Sequence, residues 1–348
     1  MKLSSFSLFA LFLFSVWSFA MAADDAKPSS DPDAITPAEI QQALSNTSKE
    51  NQAYGPFAKN PACGVDPTDP FDPAYEITYG DFIGECIDAS TVRPPILIAQ
   101  DDHKIEIANF YHNGRYWIAN IPKNAVTTVM FQGVPFSSIL FGLIKFAHGQ
   151  FRFKLSRPIE LQAQSGDTSV HASLSDFIIS STATHPKGIA YSVFKGSAFG
   201  ITTRILSTTA RAVEEIFQDK SAVHQYQLTM SPENMNNFLL DSITLASEEG
   251  YMDRYKLLSD NCATKAFDAL DAAIPRPQGV GPMRGHWWEI HDEIEHPALK
   301  ALVKRHIPYT RVNDLNDEIQ CAKPGQKLGA LAVTAEMLGA ASAQCAFQ

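Results

Sequence analysis

Between residues 150 and 155 the chain reads Gln-Phe-Arg-Phe-Lys-Leu, a strict polar–apolar alternation. Period two predicts a strand with Phe151, Phe153 and Leu155 inward and Gln150, Arg152 and Lys154 outward. On that reading Arg152 is an exposed strand charge. Ser156-Arg157-Pro158 then predicts a turn, and "IELQAQ" returns with the same alternation, which would set Glu160 beside the strand that starts at His148. "DFIIS" predicts another strand or a short helix, and "QYQLTM" a strand just after His224. Upstream, "PPILIAQ", "KIEIANFYHNGRYWIANIP" and "AVTTVMFQG" are rich in β-branched and aromatic residues. Asn113-Gly114 lies between two such runs and signals a hairpin with a type I′ turn.

Helical spacing takes over elsewhere. The apolar run "SSILFGLIKFA" predicts a buried helix, and "ILSTTARAVEEIF" places Leu206, Val213 and Phe217 on one helical face. "SPENMNNFLLDSITLASEEG" is the clearest helix: Ser231 can cap, Pro232 opens the first turn, and Met235, Phe238, Leu239 and Ser242 follow at helical spacing. After Asp260, a capping residue type, Ala263, Ala266, Phe267, Leu270 and Ala273 form one apolar face, and "IPRPQG" stops the helix.

Cys262 therefore falls at or just before a helix's first turn. The unpaired amides and positive dipole end there favour an anion, so a thiol in that position is expected to have a lowered pKa. The same amides can receive the oxyanion of an attacked carbonyl. A nucleophile uses both properties; an inert buried cysteine, the alternative, uses neither.

The compartment bears on this thiol. Residues 1–22 carry Lys2, an apolar core from Phe6 to Phe19, and Ala20-Met21-Ala22, the pattern of a signal peptide cleaved near Ala22. An uncleaved membrane anchor is the alternative. Export permits disulfides. Of five cysteines, Cys63 and Cys86 lie near each other, as do Cys321 and Cys345, and Cys262 stands apart. Four cysteines allow three connectivities; local pairing, Cys63–Cys86 and Cys321–Cys345, is the expectation.

Composition changes little: 45% hydrophobic, 19% charged, net charge −10, an ordinary globular chain. With no basic stripe and no Gly-rich phosphate loop, a nucleic-acid partner is not expected. The expected organisation is a signal peptide (1–22), a polar leader (23–60), a β-rich N-terminal region (61–130), a second α+β region (131–290) and a C-terminal extension (291–348). The leader holds one candidate helix at "TPAEIQQALSNTSKE".

A nucleophilic cysteine needs a base. His148 begins a predicted strand after a very apolar stretch, where it is either satisfied by a backbone carbonyl or kept for chemistry. His103 and His112 look solvated around the hairpin, and His171 and His185 fall in polar loops. "GHWWEIHDEIEH" gathers His286, Glu289, His291, Glu295 and His296, but its histidines are five apart rather than four, so a metal site is not the expectation. No cofactor motif is found.

The ordered series "AHGQFRFKL", "DFIIS", "YSVFKGSAFG", "HQYQLTMSPENMNNFLLDSI" and "YKLLSDNCATKAFDALDAAIP" resembles the Lnb N-terminal periplasmic domain family, over about residues 131–280. That family is similar to the circularly permuted, NlpC-type branch of papain-like thiol enzymes, which includes the lecithin:retinol acyltransferase-like proteins. The resemblance implies an α+β, papain-like core of antiparallel sheet plus helices. It also implies Cys262 as nucleophile and His148 as base, with a third polar group orienting the histidine. Glu160 is a candidate for that group, and Asn261 for a cap or oxyanion donor. The implied protein is a periplasmic or secreted hydrolase or acyltransferase working through an acyl-enzyme. Its substrate would be a lipid, a lipoprotein or a cell-wall peptide, with contact at a membrane surface open to it. The membrane-spanning segments of acyltransferase members are replaced here by residues 291–348, so N-acylation of lipoproteins within the membrane is not expected. A non-catalytic exported binding or scaffold protein, and a metal-dependent hydrolase built on "HWWEIH", are the rivals.

Overall fold

The computed structural model describes residues 56–64, 69, 71–90, 92–139, 144–164, 169–189, 198–251, 253–256, 259–283, 296–321, 331–333 and 337. The signal peptide, the leader before residue 56, "HWWEIH" and Cys345 lie outside them, and with Cys345 the expected Cys321–Cys345 bond. The Cys63–Cys86 disulfide is present, and Cys262 is free.

A small clip of β1 (Phe57–Lys59) and β2 (Tyr75–Ile77) precedes the main sheet. There follow β3 (Ile96–Gln100), β4 (Lys104–His112), β5 (Arg115–Pro122), β6 (Val126–Ile139), β7 (Ile144–Ala163), β8 (His171–Thr184) and β9 (Gly200–Ser207). Next come α1 (Thr208–Ala212), a π-helical turn (Val213–Gln218), β10 (His224–Leu228), α2 (Pro232–Glu249), β11 (Asp253–Arg254) and α3 (Cys262–Ala273). The described chain continues with α4 (His296–Lys304), β12 (Tyr309–Arg311) and α5 (Leu315–Glu318).

Ten strands form one mixed sheet, antiparallel except where β4 meets β9. Its pairings close on themselves: β4 joins β5, β5 joins β7, β7 joins β8, β8 joins β9, and β9 returns to β4. A closed ring has no free edge, which protects five of the strands from pairing elsewhere. The sheet runs through the boundary expected at residue 130. The fold is thus α+β and sheet-rich, as the pattern implies.

Several local expectations hold. Asn113 (φ 48°) and Gly114 (φ 75°) form the left-handed pair of a type I′ turn between β4 and β5. Ser231 caps α2, its hydroxyl accepting from the Asn234 amide at 3.1 Å.

Others are corrected. The described ends of "SSILFGLIKFA", residues 137–139 and 144–147, are strand rather than helix, paired across β6 and β7 up to Ile139↔Ile144. A short continuous apolar run has no period, so a strand of this kind reads like a helix. "SRP" is not a turn either. β7 runs unbroken for 20 residues, and at 156–158 it exchanges neighbours, leaving β6 after Leu155 and meeting β5 from Glu160. The register against β8 also shifts there, between Lys154 and Ile159. Pro158, with no N–H to give, suits such a break in the ladder. Leu206 lies in β9 rather than sharing a helical face with Val213 and Phe217, which belong to the π-helical turn and one apolar cluster.

The largest correction concerns the face of β7 read as exposed. Phe151 and Phe153 do enter the main core, against Phe238 of α2 and Phe177 of β8. Gln150 and Arg152 on the opposite face are equally buried, each at 0% exposure. α1, the π-helical turn and α5 cover that face. Its polar groups satisfy one another, as burial demands. Arg152 is bidentate to Asp176, Nε donating at 2.8 Å and Nη2 at 2.5 Å, while Nη1 donates to Gln225 at 2.6 Å and Nη2 to Glu318 at 3.0 Å. Glu318 and the strand β12, which pairs with β10, both come from the C-terminal extension.

Candidate active site

The polar stripe on β7 leads along the strand to His148. The ring is half-buried, and Nε2 shares a 2.7 Å hydrogen bond with the Ser180 hydroxyl of β8. His148 lies inside the strand, opposite Val134 of β6, rather than at its start. The β7–β8 ladder opens at this end. Its last pair is Phe151↔Ile179, so Gly149 and His148 run on with only β6 as a backbone neighbour.

The first turn of α3 sits at this opening. Asn261 is its N-cap in extended conformation (φ −129°), with Oδ1 accepting from the amides of Ala263 (3.0 Å) and Thr264 (3.1 Å). The Thr264 hydroxyl returns the bond to the Asn261 amide at 2.9 Å, completing a capping box. Cys262 is therefore the first helical residue and 6% exposed. The helix start presses so closely on β7 that a Cβ at Gly149 would stand 3.1 Å from Ala263 Cβ and 3.3 Å from Phe131. Only glycine leaves the room, and the close approach has an electrostatic consequence: the backbone amides of Gly149, Ala263 and Cys262 draw the thiol's pKa down. We expect Gly149→Ala to cost about 1–3 kcal/mol of stability by overpacking and to change the alkylation rate of Cys262, read by denaturant unfolding and mass spectrometry.

The electrostatics differ from the expectation for a helix-start thiol. Burial pushes the Cys262 thiol above its usual pKa, and outweighs the three N–H donors and Arg211, which act in the opposite direction. Burial also lowers His148 well below its ordinary value, helped by Arg211 and then Arg204, with a hydrogen bond to Gln150 working the other way. At neutral pH the two groups rest as thiol and neutral imidazole.

Cys262 and His148 line one cavity of about 620 Å³. Its wall is mixed. Val134, Val213, Tyr255 and Met337 supply apolar surface, and Arg204, Arg211, Glu214, Glu215 and Asp219 supply charge. Arg204 donates to both oxygens of Glu214, with Nη1 to Oε1 at 3.0 Å, and Arg211 Nη1 donates to Glu214 Oε2 at 2.7 Å. Burial pushes Glu214 up, yet the two guanidiniums hold it below the usual carboxylate range.

Other predicted site residues lie elsewhere. Glu160 is on the same strand as His148, about 40 Å further along at strand rise, where it accepts from Ser173 at 3.1 Å on the surface. It cannot orient the imidazole; the Ser180 hydroxyl is the group that holds it. The carbonyl oxygen of Asn261 is committed to capping. His112 is not solvated: Nδ1 meets Ser207 Oγ at 2.8 Å, and burial, aided by Arg115, lowers it to about 4. The cavity charges Arg204, Arg211, Glu214 and Glu215 were missed. "ARAVEE" does put Arg211 and Glu215 at i,i+4, a spacing that could have drawn attention to them.

The family model of the Lnb N-terminal periplasmic domain matches residues 117–291, half of the chain. The chain belongs to that family, which suggests a periplasmic location. No curated protein and no solved structure matches the chain. The match contains His148, Cys262 and the charged cavity wall. It ends before α4, β12 and α5. Among the described residues no helix is long and apolar enough to cross a membrane.

Proposed function

We propose that the protein is an exported thiol hydrolase or acyltransferase with a permuted papain-like core, working through a Cys262–His148 dyad and an acyl-enzyme. One observation carries the reading: the free Cys262, at a capped helix start, shares a cavity with a strand-held histidine.

Both groups start neutral, so the reaction begins with proton transfer rather than from a stored ion pair. As the sulfur bonds to the substrate carbonyl carbon, the thiol proton passes to the His148 imidazole, held at Nε2 by Ser180. The carbonyl π electrons become an oxyanion, which the backbone N–H of Cys262 at the start of α3 is suited to receive. Collapse breaks the bond to the leaving group, which takes the proton from His148 and leaves a thioester. Water or an amine then attacks the thioester, again with His148 as base. The charged wall supports a peptide or other polar amide better than a long acyl chain; the apolar side of the cavity leaves room for a short one.

The non-catalytic alternative has its own support, since a buried thiol of raised pKa also suits a binding protein that keeps the fold. An acyl-enzyme trap separates the two. Mature protein treated with activated acyl esters and peptide amides, then examined by intact mass, should carry an adduct at Cys262, and Cys262→Ala should carry none. No adduct with any probe, together with a thiol inert to iodoacetamide, would establish the binding reading.

A further inference from the structure

The cavity wall holds a carboxyl group that this reaction does not use. Glu215 is 3% exposed and projects from the π-helical turn, which also sets Glu214 into the wall. Helical turns of this kind are rare and concentrate at functional sites. The two glutamates are unequally provided for. Glu214 takes both guanidiniums, from Arg204 and Arg211. Glu215 has one edge of Arg211, Nε to Oε1 at 2.7 Å, and that N–H is shared with Gln150 Oε1 at 2.9 Å. Its other oxygen accepts from Gln150 Nε2 at 3.1 Å, while Oε1, although near the guanidinium, makes no well-aligned hydrogen bond. A buried carboxylate so thinly supported favours its protonated form. Burial accordingly raises Glu215 to about 7, with Glu214 adding to the shift and Arg211 opposing it.

Gln150 lies between this acid and the dyad: its Nε2 donates to Glu215, and it stands two residues from His148 on the same face of β7. The charged groups facing Glu215 are Arg211 from α1, Glu214 from its own turn, Asp219 just beyond it and Arg204 from β9. His148 of β7, His185 after β8, Tyr111 of β4 and Cys262 of α3 complete the titratable wall.

We propose that Glu215 is a positioning residue that exchanges protons in this cavity, and that its charge state sets the ionisation of the Cys262 thiol. This rests on reading Cys262 as the nucleophile. The sign follows from charge. Protonated Glu215 leaves the guanidiniums less compensated, which favours the thiolate. Ionised Glu215 adds a negative charge, which opposes the thiolate and favours the imidazolium that forms during attack.

The test is the iodoacetamide labelling rate of Cys262 against pH, from about 5 to about 10, in the full mature chain. In wild type the logarithm of the rate should rise, flatten through about pH 7 as Glu215 ionises, and rise again. Across the break it should be offset by about tenfold, the effect of one charge at cavity separation. Glu215→Gln should lose the break and label about tenfold faster above it, and Glu215→Asp should restore the break. A wild-type profile with one smooth ionisation overturns the proposal by itself, even if the variants do not fold, and so does a Glu215→Gln profile that superimposes on wild type. The labelling needs no substrate. A failed acyl trap with an intact break would sink the thiol-enzyme reading while upholding the coupling; a normal trap without the break would sink the role of Glu215 alone.

Discussion

Replacing Arg152 with alanine lowers the unfolding free energy by about 3–5 kcal/mol. The side chain is fully buried and answers two carboxylates, Asp176 and Glu318, so its removal takes that counter-charge from Asp176 and leaves Glu318 with Lys154. Gln225 and Thr208 stay hydrogen-bonded to those acids and cannot replace the charge. The loss is specific to pH. Burial pushes Glu318 up, but Arg152, Gln225 and Lys154 together hold it below the usual carboxylate range. A depressed carboxyl gives stability that is present above its unfolded pKa, about 4.3, and lost as pH falls through the folded value. The gap between wild type and Arg152→Ala should therefore narrow below about pH 4. Urea unfolding at pH 7 and pH 3.5 checks both statements, and a gap that widens in acid would mean that Arg152 is not what lowers Glu318.

Phe151→Ala should cost about 3–5 kcal/mol as well, by a different route. Phe151 stands two residues beyond Gly149 and is 2% exposed. Its ring meets Phe238 of α2 edge-on at 4.8 Å, Phe131 of β6 at 5.5 Å and Phe267 of α3 at 6.1 Å. It is a contact through which the sheet holds both long helices at once. Deleting it leaves a cavity under α3, whose first turn carries Cys262. A core residue that only added stability would leave the folded fraction normally reactive. Here the folded protein should also label more slowly or more heterogeneously at Cys262, measured by alkylation in native buffer.

How legible was this in the chain? Features governed by neighbouring residues were readable. Asn113-Gly114 can satisfy only a few turns, and Ser231-Pro232 announces a helix start through a cap that acts within three residues; before Cys262 the cap is Asn261, one residue past the Asp260 read for it. The thiol's isolation could be read from cysteine spacing alone. What failed depended on what covers a surface. Arg152 alternates as an outward residue should, and nothing within ten positions says that α5, from residues 315–318, will close over it. Glu160 failed because "SRP" reads as a turn, while in the fold the same residues mark an exchange of strand partners. The sign of the Cys262 shift failed for the related reason that helix-start donors are local and burial is not. His148 was found through resemblance; its partner Ser180 lies 32 positions away across a strand pair that only the register reveals.

Glu318 also bears on the order in which this molecule can be completed. The bond from Arg152 to Glu318 spans 166 positions, and the stretch shared with the family ends before the second of them is reached. A chain that crosses a membrane N-terminus first delivers the thiol, its histidine and the ring of strands while a guanidinium in their midst still lacks one of its two acids. The domain outlined by family likeness is therefore smaller than the unit that folds. The polar cluster around Arg152 is complete only once residues 315–318 have joined it.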